Sequence, residues 1–283
     1  MTKTARAIDV PNRFLEVNGR TLAYRIIGTG RPMLMCTRFR GNIDQWDPAF
    51  LDALAAKGLQ AITFDYTGLG LSTGEPSYDP VRLATDAVDL AHGLDLHDAI
   101  LCDWSIGGIA AQIALTILTD RVTHCVLIGT TPPGPLVKLP EQLFFDTATK
   151  PVNTFEDLVI LFFEPMSTRG RDAARRSIER ISARTEGRSP EVPAKFAADN
   201  LGPGPRSPMF PAEAVLEFLR NTQIPILHVG GDHDIIFPVE NWYALNGTLP
   251  TLQLLTFPRA GHGPQHEHPE ATAEHIGSFV RYT

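Results

Sequence analysis

A mostly parallel β-sheet with helices on both faces is the architecture this chain of 283 residues encodes, on three observations. Apolar runs of strand length, punctuated by Gly and Pro, alternate with stretches of helical period, the pattern of βαβ units. A hydrophobic content of 43% at this length supplies a sizeable core. The alternation breaks once, between Pro132 and Thr222. The chain is therefore expected to comprise a core of residues 1–132 and 221–283 and an insertion of residues 133–220.

Eight apolar runs are expected as strands, at residues 13–17, 22–27, 33–36, 60–64, 99–102, 124–128, 224–229 and 252–257. Helical patterns between them cover 48–57, 80–93, 106–119 and 269–282. Within the insertion, 154–163 and 167–184 are expected as helices, whereas 187–211 is rich in Pro and Gly. The second of these carries Arg171, Arg175, Arg176 and Arg180 opposite Ile178 and Ile181, the pattern of an amphipathic surface helix. Apolar candidates for contact with a ligand there are Phe144, Phe145, Leu161, Phe162, Phe163 and Met166.

Net charge is −7 with no strong basic cluster, which argues against nucleic acid as a partner. No run reaches the ~18 apolar residues that span a bilayer, and residues 1–13 lack the apolar stretch of a secretory signal. A cytoplasmic location and no membrane partner are expected. Cys36, Cys102 and Cys125 fall in predicted interior strands and are expected as reduced core thiols. His262, His266, His268 and the Asp232-His233-Asp234 run match no standard zinc spacing, so no metal and no cofactor are expected. The sequence is silent on oligomeric state and compatible with a homodimer.

The most informative segment is Ile100-Leu101-Cys102-Asp103-Trp104-Ser105-Ile106-Gly107-Gly108. An apolar run ends on a serine followed by paired glycines and a helical pattern, the mounting of a nucleophile on a sharp strand-to-helix turn. Such a turn strains its apex and brings strand and helix together, so flanking positions must be small. The Ile106 N–H would open the helix, where it can donate to an oxyanion. A serine hydroxyl needs a base, and the base needs an orienting acid. Two further strand ends supply candidates: Gly231-Asp232-His233-Asp234, with Pro238 beyond, and Ala260-Gly261-His262-Gly263.

Serine, acid and histidine in that chain order, each just after a strand, resemble the α/β-hydrolase fold. The branch resembled is that of non-haem haloperoxidase-like esterases and related small hydrolases. The likeness runs from about Phe14 to the C-terminus. Its motifs are Arg38-Phe39-Arg40-Gly41 with Trp46-Asp47-Pro48, Phe64-Asp65 with Gly68-Leu69-Gly70 and Ser72, the serine turn, Gly231 to Pro238, and Gly261-His262-Gly263. The resemblance implies an eight-stranded α/β-hydrolase core with a helical cap at residues 133–220. It implies Ser105 as nucleophile, His262 as base, Asp234 as acid, and the Phe39 and Ile106 N–H groups as oxyanion hole. The spacing to Pro238 matches the family with Asp234; the competing Asp232 would then cap its own turn.

The implied activity is hydrolysis of a carboxylic ester or lactone of a small apolar substrate, with Arg38, Trp104, Phe162 and Phe163 as substrate-binding candidates. Carbon–carbon bond hydrolysis and peracid formation could use the same triad, and ligand binding or other non-hydrolytic chemistry on this scaffold is a further alternative. Asp103-Trp104 also admits an aspartate nucleophile, as in haloalkane dehalogenases. That register would put Ile106 where helix must approach strand, whereas the serine register puts Gly107 and Gly108 near the contact. Two departures from the family stand out. Asp103 replaces the first glycine of the turn, and Thr37-Arg38 replaces a His-Gly pair. Adjacent strand ends carry both, so a buried Arg38–Asp103 ion pair is one expectation; receipt of a substrate carboxylate by Arg38 or Arg40 is a second, and two solvated loop charges a third.

Overall fold

A computed structural model describes residues 5–283. Residues 1–4, the start of the stretch expected to lack a secretory signal, lie outside the described residues. One sheet holds eight strands: β1 (Arg13–Val17), β2 (Arg20–Ile27), β3 (Arg31–Met35), β4 (Leu59–Phe64), β5 (Ala99–Trp104), β6 (Val122–Ile128), β7 (Ile226–Gly231) and β8 (Leu252–Phe257). Their order is β1-β2-β4-β3-β5-β6-β7-β8. β2 runs against both neighbours, and all pairings from β4 to β8 are parallel.

The helices are α1 (Pro48–Ala56), α2 (Pro80–Gly93), α3 (Ile106–Ile117), α4 (Gln142–Ala148), α5 (Phe155–Phe162), α6 (Thr168–Ser182), α7 (Ala194–Leu201), α8 (Glu213–Asn221), α9 (Glu240–Tyr243), α10 (Pro264–Glu267) and α11 (Pro269–Tyr282). α1 and α2 open on an Asp-Pro pair. Asp47 accepts from the Ala49 N–H, Asp79 accepts from Val81 and Arg82, and each proline occupies a position where a missing N–H costs nothing.

Side chains alternate across each strand, so consecutive apolar residues feed two cores. Met33 and Met35 join Phe50 and Leu54 of α1 and Ile276 and Phe279 of α11 on one face. Leu34 and Leu101 join Leu83 and Leu90 of α2 and Leu115 of α3 on the other. Both predicted helices of the 133–220 interval are present as α5 and α6, and α4, α7 and α8 are additional. α7 forms inside the stretch read as Pro- and Gly-rich. α8 packs against α3, with Val215 and Leu219 in the larger core, so this helix sits with the core elements rather than over the site.

Polar contacts tie the inserted chain down around the C-terminal ends of the central strands. Arg180 of α6 donates to both carboxylate oxygens of Asp47, at 2.8 and 2.5 Å. Arg40 donates to the carbonyls of Ala148 and Lys150. Ser189 donates its hydroxyl to Asp65 and its N–H to Asp44, which also pairs with the buried Arg25 at 2.6 Å. Among the described residues no helix is long and apolar enough to cross a membrane.

Candidate active site

β5 ends at Trp104 and α3 begins at Ile106, which leaves Ser105 as the single residue of the turn, at φ 63° and ψ −127°. Holding a non-glycine residue there costs about 1–3 kcal/mol, a strain that the surrounding structure must impose. The approach that imposes it is tight. A Cβ on Gly107 would lie 2.2 Å from the Cys36 carbonyl oxygen, and one on Gly108 would lie 2.6 Å from the Thr130 methyl. Asp103 is inside β5, fully buried, with Oδ1 accepting from the Cys36 N–H at 2.7 Å. The apex is therefore serine, and the aspartate register has no place in this geometry.

The serine hydroxyl does not cap α3. It lies 2.9 Å from His262 Nε2, and His262 Nδ1 lies 2.8 Å from Asp234 Oδ2. All three side chains are buried. Asp234 Oδ1 accepts from the N–H groups of Ile236 and Phe237, each at 2.9 Å. Burial alone would raise the Asp234 pKa; the imidazole of His262 and these hydrogen bonds outweigh it and hold the carboxyl below its ordinary value. Asp232 turns away and accepts from the Arg259 N–H at 2.6 Å. The histidine loop is pinned by Trp104 Nε1, which donates to the His262 carbonyl at 2.9 Å, and by the Gly263 N–H, which donates to the Phe162 carbonyl at 2.8 Å.

A cavity of about 280 Å³ opens over Ser105 and His262. Its core-side wall holds Arg38, Phe39, Asn42 and Gln45; its other wall, from the inserted chain, holds Phe144, Leu158, Leu161, Phe162 and Val192. Of the substrate-binding candidates, Arg38 and Phe162 line this cavity. Trp104 does not: it sits behind the site, with ring centroids 5.6 Å from Phe162, 5.9 Å from His262 and 4.7 Å from His266. Phe163 does not either, because it packs with Val159, Ala173 and Ala174 as a joint between α5 and α6. Met166 is 91% exposed, and Phe145 is buried in the core. Phe39 precedes Arg40 on the loop after β3, and Ile106 opens α3. Neither of their N–H groups donates to an acceptor among the described residues.

Gln45, Asn42, Leu158 and Val192 were not singled out from the sequence. Gln45 and Asn42 follow directly on the Arg38-Phe39-Arg40-Gly41 motif, so the motif could have pointed to them. Val192 lies in the Pro- and Gly-rich stretch and gave no signal.

The expected Arg38–Asp103 ion pair is absent, and the two side chains part for a physical reason. Asp103 takes the Cys36 N–H beyond the end of β3 and pairs with no cation among the described residues. Burial pushes its pKa well above the usual carboxylate range, which disfavours the charged form that an ion pair would need. Arg38 points into the cavity instead, donating to the Phe39 carbonyl at 2.8 Å and to Gln45 Oε1 at 3.0 Å.

A twisted, mostly parallel sheet with a serine at a strained strand-to-helix turn, hydrogen-bonded to histidine and through it to aspartate, defines the α/β-hydrolase fold. The chain belongs to the alpha/beta hydrolase family, whose model matches residues 39–275. It is 27% identical over 257 residues to the putative non-heme bromoperoxidase BpoC of Mycobacterium tuberculosis, covering 88% of this chain and 94% of that protein. Among solved structures, an alpha/beta hydrolase fold protein from Chitinophaga pinensis superposes with a TM-score of 0.83 at 26% identity, covering 99% and 100% of the two chains. The esterase RhEst1 from a Rhodococcus species shares the fold, with a TM-score of 0.72 at 21% identity, covering 96% and 98%.

Proposed function

We propose that the protein is a serine hydrolase that cleaves a small carboxylic ester or lactone through an acyl-enzyme. The observation that carries this reading is the unbroken hydrogen-bond chain from Ser105 Oγ through both ring nitrogens of His262 to Asp234. Ser105 Oγ attacks the carbonyl carbon while His262 Nε2 takes its proton; Asp234 holds Nδ1–H and stabilises the imidazolium that forms. The Phe39 and Ile106 N–H groups receive the developing oxyanion, each donor typically worth a factor of ~10²–10³. His262 then protonates the leaving alkoxide, the alcohol departs, and water activated by the same nitrogen releases the acid. α4 to α7 form a cap whose apolar side chains shape the acyl or alcohol site, and α8 belongs to the core.

The test is hydrolysis of p-nitrophenyl butyrate by the parent and by Ser105→Ala. The expected loss in kcat is about 10⁴-fold or more. A variant that keeps the parent's rate would overturn the assignment.

A further inference from the structure

Arg38 is a buried cation without a counterion. It is 9% exposed and lines the cavity that holds Ser105 and His262. Its two hydrogen bonds go to neutral oxygens, those of Phe39 and Gln45, and its enclosed Nε–H has no acceptor. No carboxylate among the described residues forms an ion pair with it. The guanidinium carbon lies over the Phe162 ring at 4.4 Å and over the Trp104 ring at 5.4 Å. Burial lowers its pKa to about 10, which leaves it cationic at neutral pH. The other charged lining groups do not compete for its role. Arg40 is committed to the carbonyls of the 148–151 segment, and Glu191 is exposed.

A buried guanidinium with unused donors on a fixed plane fits one chemistry well, the two oxygens of a carboxylate. We propose that Arg38 receives a carboxylate on the substrate, so that the substrates are small esters or lactones carrying a carboxylate at one end and an apolar remainder at the other. Arg38, Phe39 and Ser105 line one cavity, so a substrate anchored at Arg38 lies in the same space as the nucleophile and the Phe39 N–H. The apolar part faces Phe144, Leu158, Leu161 and Val192. The inference rests on the serine-hydrolase reading for its consequence in catalysis, and on the unpaired Arg38 alone for the binding of an anion.

Monoethyl adipate and ethyl hexanoate are ethyl esters of equal chain length that differ in a terminal carboxylate. Hydrolysis followed by pH-stat is expected to show kcat/KM at least 10-fold higher for the half-ester. In Arg38→Gln that ratio is expected to fall to near one, and Arg38→Lys should restore part of it. Equal or opposite preference in a parent whose Ser105 reacts with a fluorophosphonate would overturn the proposal. Calorimetric binding of monoethyl adipate to Ser105→Ala, with and without Arg38→Gln, decides the anion site separately from hydrolysis. A 10-fold or greater weakening supports it; no binding, or binding indifferent to Arg38, overturns it. A parent that fails to label while this Arg38-dependent binding persists would refute the hydrolase reading alone.

Discussion

Asp234 and Asp103 are both buried aspartates, yet their surroundings shift their pKa values in opposite directions. Asp234 collects two backbone N–H donors and an imidazole and stays ionised. Asp234→Asn would preserve the shape of the site while turning an amide towards His262 Nδ1, which favours the wrong tautomer. Steady-state ester kinetics are expected to show a fall in kcat of roughly 10⁴-fold; a loss under tenfold would contradict the assigned role. Asp103 has one backbone N–H donor, and burial raises its pKa well above the ordinary value. Its folded pKa is raised, so the fold keeps a proton that the unfolded chain releases, and stability declines as pH rises above the unfolded value near 4. Asp103→Asn keeps the acceptor for Cys36 and removes that penalty. It is expected to melt no lower than the parent at pH 7 and together with it at pH 4. Asp103→Ala strands the Cys36 N–H and is expected to lose about 1–3 kcal/mol in denaturant titration.

The turn between β5 and α3 depends on backbone approach more than on any side chain. Gly107→Ala would drive a methyl into the Cys36 and Thr37 carbonyls, at 2.2 and 2.7 Å. Overpacking of this kind costs about 1–3 kcal/mol or more. A drop in Tm together with loss of serine reactivity is expected, and a variant as stable as the parent would contradict the close approach. The same glycines made this element legible in the sequence, because only one register of the turn satisfies them. All eight strands were legible too, their ends falling within two residues of the apolar runs. α4, α7 and α8 were not, since α4 has no side-chain N-cap, α7 is short and flanked by Pro and Gly, and α8 follows a proline-dense stretch. Site residues on strand ends were readable; those on the inserted wall depend on how α4 and α5 fold over the core. The direction of the Arg38 side chain lay beyond sequence reasoning, because strand adjacency places its Cα beside β5 but does not choose between Asp103 and the open cavity.

Across the molecule, buried histidines make the fold acid-sensitive. His266 and His228 are fully buried, and desolvation lowers their pKa values to about 4 and about 3. The unfolded chain therefore takes up protons first as pH falls through 6.5, and stability is lost from there to about pH 4 and below, on the order of a few kcal/mol for each. Glu267, raised by burial to about 7, opposes this, since its contribution is present below about 4.5 and is lost as pH rises to 7. Two buried histidines outweigh one buried carboxyl. Tm is expected to fall as pH drops from 6.5 to 4, with a shallower fall in His228→Gln and His266→Gln; an unchanged slope in both variants would contradict the account. The central claim, that the whole architecture serves to activate Ser105, is reached most directly by intact mass after incubation with a fluorophosphonate. The account predicts a single adduct on the parent and none on Ser105→Ala. An unmodified parent, or an adduct that persists in the variant, would contradict it.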